Sequence, residues 1–113
     1  MHKSDIDYKI LRILKNNPKM TQRQLSKELG LSLGKTNYII NALIDKGWIK
    51  FSNFKRSDNK IGYLYVLTPK GLTGKTTLAQ NFLNRKSEEY NRLREEIEIL
   101  KNENEESKIN ESK

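Results

Sequence analysis

Apolar residues recur at helical spacing through the first sixteen residues of the chain. Ser4, followed by Asp7 three positions later, is expected to cap this first helix, which ends before Pro18. The apolar stripe of the helix consists of Ile6, Ile10, Ile13 and Leu14. The pattern predicts a supporting helix, because two short helices cannot close a core without a third.

The next two apolar stretches are short, and each begins at a capping residue. Thr21 and Gln24 have the spacing of a capping box, and Gly30 suits the left-handed residue that ends a helix. Ser32 then caps a third helix. The shared apolar face is predicted to consist of Leu25, Leu29, Thr36, Ile40 and Leu43. Two capped helices joined by a tight glycine turn are typical of a helix-turn-helix.

After Gly47 the period of the apolar residues changes from 3.6 to 2. Two runs rich in aromatic and β-branched residues, WIKFSNF and IGYLYVLT, flank the polar loop KRSDNK and predict a β-hairpin. Lys55, Arg56 and Lys60 give the hairpin tip a positive charge against the single acid Asp58. Three helices followed by a hairpin are the order of a winged helix.

Thr68 and Pro69 predict the start of a long helix that reaches about Asn104. Its seven-residue repeat places Leu83, Tyr90 and Ile97 at position a, and Ala79, Leu93 and Leu100 at position d, of a coiled coil. These six residues are the predicted dimerisation contacts.

The charges that flank this seam favour a parallel pair of helices. Glu89 and Glu96 at g would meet Arg94 and Lys101 at e of the partner, whereas antiparallel helices would oppose like charges. The alternative is a single amphipathic helix that folds back on its own domain through Phe82 and Ile99, which lie off the seam.

The predicted fold class is mainly α with a small β-hairpin: a winged helix-turn-helix followed by a long C-terminal coiled-coil helix. Residues 1–70 are expected to form the first domain and residues 71–104 the dimerisation helix. Residues 105–113 are predicted to be disordered, because they contain almost nothing to bury.

The positive charge of the chain is concentrated in the predicted winged helix. Residues 1–70 contain 14 lysines and arginines against 5 acids, a net charge of +9, while the remainder is close to neutral. Such a basic domain attracts phosphate polymers. A membrane surface would also attract it, but no segment combines a basic face with a large apolar one, and no apolar run is long enough to span a bilayer. The absence of cysteine is consistent with the cytoplasm.

The polar face of the third helix contains the candidate DNA-reading groups. It offers a cation, two amides and a phenol, which can bond base edges or phosphates in a major groove. The full set of predicted DNA contacts is Ser32, Gly34, Lys35, Asn37, Tyr38 and Asn41 in the groove, Gln22 and Arg23 on phosphates, and Lys55, Arg56 and Lys60 on the wing. On the alternative interpretation, this face and the hairpin loop are merely solvated.

No catalytic constellation is visible, so an enzyme is not predicted and neither a cofactor nor a metal is expected. The tripeptides at Gly34 and Gly74 resemble the end of a phosphate-binding loop, but the earlier glycine that the motif needs is replaced by Leu29 and Pro69. The lone histidine, His2, cannot form a metal cluster or a triad. A small-molecule effector cannot be read from the sequence.

With these elements and the segment Leu67 to Gly71 (LTPKG), the chain resembles the MarR-type winged-helix transcriptional regulators. Within that group the SLGKTNY helix and the NALIDKG turn are similar to the short exopolysaccharide-associated regulators. The resemblance implies a bacterial or archaeal DNA-binding regulator. It departs from the MarR pattern at the wing, where Asp58 is followed by Asn59 and Lys60 and not by arginine.

We therefore predict a sequence-specific regulator that binds double-stranded DNA as a parallel coiled-coil homodimer. The alternative from another class is a protein-interaction or scaffold module that uses the winged helix without reading DNA. RNA binding is a third possibility. It is disfavoured because A-form grooves do not admit this helix and the sequence shows no evident platform of exposed aromatic residues.

Overall fold

The structure, a computed structural model, describes residues 2–55, 58 and 61–111. Side chains are described for all of these except residues 54, 55, 61 and 111. The elements in chain order are α1 (Lys3–Asn16), α2 (Gln22–Leu29), α3 (Leu33–Asp45), β1 (Ile49–Lys55), β2 (Ile61–Leu67) and α4 (Pro69–Glu111). The mainly helical fold with one hairpin and a long C-terminal helix is confirmed, while the coiled coil stays a prediction.

Helix α1 and its N-cap begin two residues earlier than predicted. His2, not Ser4, is the N-cap residue, and its ring nitrogen Nδ1 accepts the backbone N–H of Ser4 at 3.3 Å. The prediction of Ser4 was wrong because an imidazole nitrogen can accept this hydrogen bond as a hydroxyl does.

Both caps of the helix-turn-helix are confirmed. Thr21 and Gln24 form the reciprocal capping box of α2, and Gly30 ends that helix with φ of 68°. The Ser32 side chain accepts the Lys35 backbone N–H at 3.1 Å at the start of α3. Below these caps the core is formed by Ile10, Leu11, Leu14, Leu25, Ile39, Ile40, Leu43 and Ile49, all at most 4% exposed.

Strands β1 and β2 form a single antiparallel hairpin in which Phe51 lies opposite Tyr65 and Asn53 opposite Tyr63. The alternation of side chains places these four residues on one face of the hairpin. The Tyr65 backbone N–H donates to the carbonyl of Pro18 at 3.0 Å. This bond fastens the wing to the loop between α1 and α2.

The start of α4 explains the LTPKG segment physically. The Thr68 hydroxyl accepts the Gly71 N–H at 3.0 Å and donates to the Gly47 carbonyl, so that one side chain caps α4 and holds the turn before β1. Gly71 lies so close to the Trp48 backbone that a Cβ there would be 2.0 Å from the Trp48 carbonyl oxygen. The glycine is therefore required for space, not for its backbone angles.

The chain divides into two compact units, Met1–Gln80 and Asn81–Lys113. The first unit extends ten residues past the predicted domain end at residue 70, because Leu78 packs against the core of the winged helix. Helix α4 also continues to Glu111, where disorder was predicted from residue 105. Residues 105–110 bury nothing, as their composition indicated, but they contain neither glycine nor proline to end the helix. No helix among the described residues is both long and apolar enough to cross a membrane.

Asp7, which the sequence suggested as the residue that accompanies a Ser4 cap, is buried on the core side of α1 with 6% of its surface exposed. Burial raises the pKa of its carboxyl, against a smaller opposing effect of Lys46 and Lys3. Because the pKa of Asp7 is raised in the folded state, the contribution of this carboxyl to stability is greatest at acidic pH and is lost as the pH rises through that pKa.

We expect Asp7→Asn, which removes the buried charge, to raise the free energy of unfolding at neutral pH and to leave it unchanged well below pH 4. Denaturant titrations followed by fluorescence of the single tryptophan, Trp48, can measure both values. A variant that is less stable than the wild type at neutral pH would show that the carboxylate is stabilised there by its two lysines.

Candidate nucleic-acid interface

Helix α3 presents a polar face that is open to solvent. The predicted residues Gly34, Lys35, Asn37, Tyr38 and Asn41 are exposed on this face, as are Ser32 at the cap and Asp45 at the end of the helix. Tyr38 is 66% exposed, which is high for a large aromatic side chain. The structure thus brings together on one helix face the six residues that the sequence predicted for the groove.

The opposite face of α3 anchors the helix in the core. Thr36, Ile40 and Leu43 are buried, as predicted, together with Ile39. The Thr36 hydroxyl has no exposed surface and donates to the Ser32 carbonyl at 3.0 Å, so its burial leaves no unpaired donor. A rigidly seated helix positions the groups on its polar face.

Three amide side chains and a tyrosine form a chain of hydrogen bonds across the interface. Asn41 Nδ2 donates to Asn37 Oδ1 at 3.1 Å, and Asn37 Nδ2 donates to Gln22 Oε1 at 3.0 Å. Gln22 Nε2 in turn donates to the Tyr65 hydroxyl at 2.9 Å. We call these four residues the amide relay; it connects α3, the start of α2 and strand β2.

Tyr65 is the functional-site residue that the sequence analysis missed. Its ring is 8% exposed and belongs to the hydrophobic core, while its hydroxyl reaches Gln22. A signal was present, because a tyrosine at an inward-facing strand position normally finds a partner for its hydroxyl. The partner, Gln22, lies 43 positions away in the sequence, and no local sequence pattern indicates which residue at such a distance will make the contact.

Gln22 and Arg23 were both predicted to contact phosphates, and the structure places them differently. Arg23 is exposed. Gln22 is half-buried, and both ends of its amide are engaged in the relay. This arrangement suits Gln22 better to holding Asn37 than to gripping a phosphate.

The hairpin carries an exposed aromatic pair. Phe51 and Tyr63 stack with ring centroids 5.3 Å apart and an interplanar angle of 21°, and they are 49% and 58% exposed. They lie on the same face of the hairpin as Tyr65. The expectation that the chain has no exposed aromatic platform was therefore wrong, because alternation along two strands brings together side chains that are far apart in sequence.

The three predicted wing cations lie largely outside the described residues. Lys55 is the last residue of β1, not part of the loop, and its side chain is not described. Arg56 and Lys60 lie outside the described residues altogether. Their predicted contact with DNA stays a prediction.

The second unit of the chain is a segment of α4 with an exposed apolar stripe. Leu83, Tyr90, Leu93, Ile97 and Leu100 are between 43% and 63% exposed. Ala79, the remaining predicted dimer contact, belongs to the first unit and is half-buried there.

Charged side chains in and beside the stripe form pairs within the helix, and one of them, Lys86, occupies a d position of the heptad repeat. Lys86 lies 3.2 Å from Glu89, and Lys101 lies 3.7 Å from Glu98, in both cases between exposed side chains. Exposed pairs of this kind are worth less than about 1 kcal/mol. They could therefore be exchanged at little cost for the pairs between helices that the heptad pattern predicts.

Comparison with known proteins agrees with this geometry. Residues 3–50 match a protein-family model described as winged helix-turn-helix DNA-binding. No curated protein sequence matches the chain. Among solved structures, a PadR-like transcriptional regulator from Bacillus cereus is similar with a TM-score of 0.71 and 20% identity, over 80% of this chain and 93% of that one.

Two other solved structures are similar to this chain. The transcriptional regulator BldR from Sulfolobus solfataricus has a TM-score of 0.61 and 19% identity, over 74% of this chain and 58% of that one. Apo MarR from E. coli has a TM-score of 0.52 and 26% identity, over 66% of this chain and 53% of that one. This chain thus spans little more than half the length of these two proteins. The resemblance to MarR-type winged helices is confirmed, and the exopolysaccharide-associated subgroup is not.

Proposed function

We propose, on the premise that residues 3–50 are a winged helix-turn-helix of the DNA-binding type, that this chain is a sequence-specific transcriptional regulator of double-stranded DNA. The observation that supports this most strongly is the polar face of α3, which combines Lys35, Asn37, Tyr38 and Asn41 and carries one acid, Asp45, at the end of the helix. The surrounding unit has a large positive charge. Cations supply affinity for the phosphates, and the amides can discriminate between bases.

The proposed roles divide the interface into reading and gripping groups. The groups that would face base edges in the major groove are Ser32, Gly34, Lys35, Asn37, Tyr38 and Asn41. Arg23 would bind a phosphate. The wing cations Lys55, Arg56 and Lys60 would reach the neighbouring sugar-phosphate backbone, as the sequence suggests.

A second copy of this chain is the partner that best fits the apolar stripe of α4. Five large apolar or aromatic side chains at heptad spacing are exposed there, and the flanking charges favour a parallel pair. In a parallel coiled coil both DNA-binding units emerge at the same end. They can then address two half-sites about one helical turn, or 34–36 Å, apart.

The stacked pair of Phe51 and Tyr63 favours a second candidate function, the binding of single strands. Exposed, stacked aromatic rings are suited to stacking on unpaired bases. The polar helix face remains the stronger observation, because a helix of this kind fits the major groove of B-form DNA, and a single strand offers no such groove.

Two substitutions separate base reading from phosphate contact. We expect Tyr38→Ala to weaken binding to a preferred duplex while affinity for a scrambled duplex is nearly retained, and Arg23→Ala to weaken both by a similar factor. Affinities of the wild type for both duplexes should also fall by at least tenfold between 50 and 200 mM salt, since several phosphate contacts release counterions. Fluorescence anisotropy measures all of these values.

The same titration distinguishes the competing functions. An affinity that hardly changes with salt would rule out binding through phosphates and favour the protein-interaction module. Unlabelled single strand and unlabelled duplex can also be compared as competitors of a labelled duplex. If the single strand competes at the lower concentration, the aromatic pair is favoured as the principal binding surface.

A further inference from the structure

The amide relay occupies part of the surface that the proposed function assigns to DNA. We propose that Tyr65, through Gln22 and Asn37, positions the Asn41 amide to recognise adenine, so that a core tyrosine without contact to the base determines base preference. This inference rests on the proposed function of α3 as a reader of the major groove. It adds the base that is read and a positioning residue on another element.

The relay joins an immobile end to an exposed end. Tyr65 is held by core packing and by its backbone bond to Pro18, whereas Asn37 and Asn41 are open to solvent. Gln22 is half-buried between them. An exposed amide on a helix ordinarily samples several rotamers, and fixing it upon binding costs conformational entropy. Each bond of the relay reduces the freedom of the next side chain, so much of this ordering is present before DNA arrives.

The bonding pattern of the relay leaves a defined pair of groups at its exposed end. Asn41 donates one N–H to Asn37, so its second N–H and its Oδ1 remain for a ligand. Asn37, by contrast, uses its amide both as a donor and as an acceptor within the relay. Asn41 is thus the member best able to offer a donor and an acceptor side by side.

That pair is complementary to the major-groove edge of adenine. Adenine presents N7 as an acceptor and N6–H₂ as a donor, and an asparagine amide can bond both at once. Guanine offers two acceptors, and cytosine and thymine differ again, so an amide held in this way discriminates by about tenfold or more. An amide free to rotate discriminates less, because it can present either end of its side chain to the edge of a base.

The substitution Tyr65→Phe tests the inference, because it removes only the hydroxyl group that accepts the hydrogen bond from Gln22. The phenylalanine ring keeps the packing of the core, while Gln22 loses its anchor. Tyr63→Phe is a matched control, because Tyr63 is on the same strand and the same face but is exposed, and phenylalanine keeps the ring that stacks on Phe51. Gln22→Met breaks the relay in its middle without altering the wing and serves as a second variant if Tyr65→Phe folds poorly.

The first readout is made without DNA. Side-chain amide resonances of the full-length protein are recorded by ¹⁵N–¹H NMR for the wild type and the three variants. We expect the Asn41 resonances to move in Tyr65→Phe and Gln22→Met and to stay in place in Tyr63→Phe. The amide of Gln24, which bonds to Thr21, serves as an internal reference. An Asn41 signal that is unaffected by both relay variants overturns the relay as a positioning device.

The second readout is base preference, measured with duplexes in which every position of a preferred half-site is replaced in turn by each other base. We expect the wild type and Tyr63→Phe to prefer adenine at one position by about tenfold. Tyr65→Phe and Gln22→Met should lose that preference and retain their affinity for scrambled DNA.

The outcomes separate this inference from the proposed function. If the wild type discriminates and both relay variants discriminate equally well, the inference is wrong while DNA reading by α3 stands. A preference that is lost at a G·C position and not at an A·T position overturns the assignment to adenine. If the wild type has no preference at any position, the proposed function and this inference fall together.

Discussion

Gly71→Ala is expected to destabilise the first unit of the chain by about 2 kcal/mol. The added methyl carbon would lie 2.0 Å from the Trp48 carbonyl oxygen and 2.8 Å from its carbonyl carbon, so α4 must move away from the strand that follows Trp48. Overpacking of this kind typically costs about 1–3 kcal/mol and sometimes more. Alanine regains up to about 1 kcal/mol through its greater helix propensity, which is too little to compensate.

Denaturant unfolding followed by Trp48 fluorescence measures this loss, and Gly34→Ala provides the matched control. Gly34 also lies within a helix, but a Cβ there would have no atom within 4 Å, so the same substitution should raise stability by up to about 1 kcal/mol. Opposite signs for the two variants are the expected result. A Gly71→Ala protein that unfolds at the same denaturant concentration as the wild type would show that α4 can shift away from Trp48 freely.

Removal of residues 81–113 is expected to leave a folded monomer that binds a two-half-site duplex about a hundredfold more weakly than the full chain. The cut follows Gln80 because the first unit includes the start of α4, where Leu78 packs on the core. Two linked binding units gain typically 10²–10⁴ in affinity over one through their high effective concentration. Binding to a single half-site should be almost unchanged.

Leu93→Glu and Ile99→Glu test the same point without truncation. Both residues are exposed, at 56% and 58%, and lie on the same helix, but only Leu93 belongs to the heptad seam. Analytical ultracentrifugation should find Leu93→Glu monomeric and Ile99→Glu dimeric. A truncated chain that still sediments as a dimer, or a pair of variants that behave alike, would exclude the predicted seam as the interface.

The features of the fold that the sequence predicted correctly are determined by residues that are close together in the sequence. The capping box of Thr21, the left-handed Gly30 and the Ser32 cap each need only a few residues of context, and all were identified. The hairpin followed from the change in period after Gly47. The end of α4 was placed too early because composition shows that a segment buries little, not that its helix must stop.

What the sequence could not supply are contacts between distant segments. The bond from Gln22 to Tyr65 and the approach of Gly71 to Trp48 both connect residues more than twenty positions apart. Neither contact produces a periodic pattern of residues in the sequence. The polar face of α3 was therefore predictable residue by residue, whereas the relay that orders its amides became visible only from the packing of the wing against α2.

Selection of bound fragments from random double-stranded DNA by the full-length protein tests the proposed function most directly. We expect enrichment of a palindromic sequence whose half-sites lie about one helical turn apart. Each half-site should contain one position at which the selected sequences all have an A·T pair. Tyr38→Ala should enrich this sequence less strongly. A selection that yields no common sequence, although the protein is folded and retains salt-dependent affinity for DNA, would contradict sequence-specific regulation.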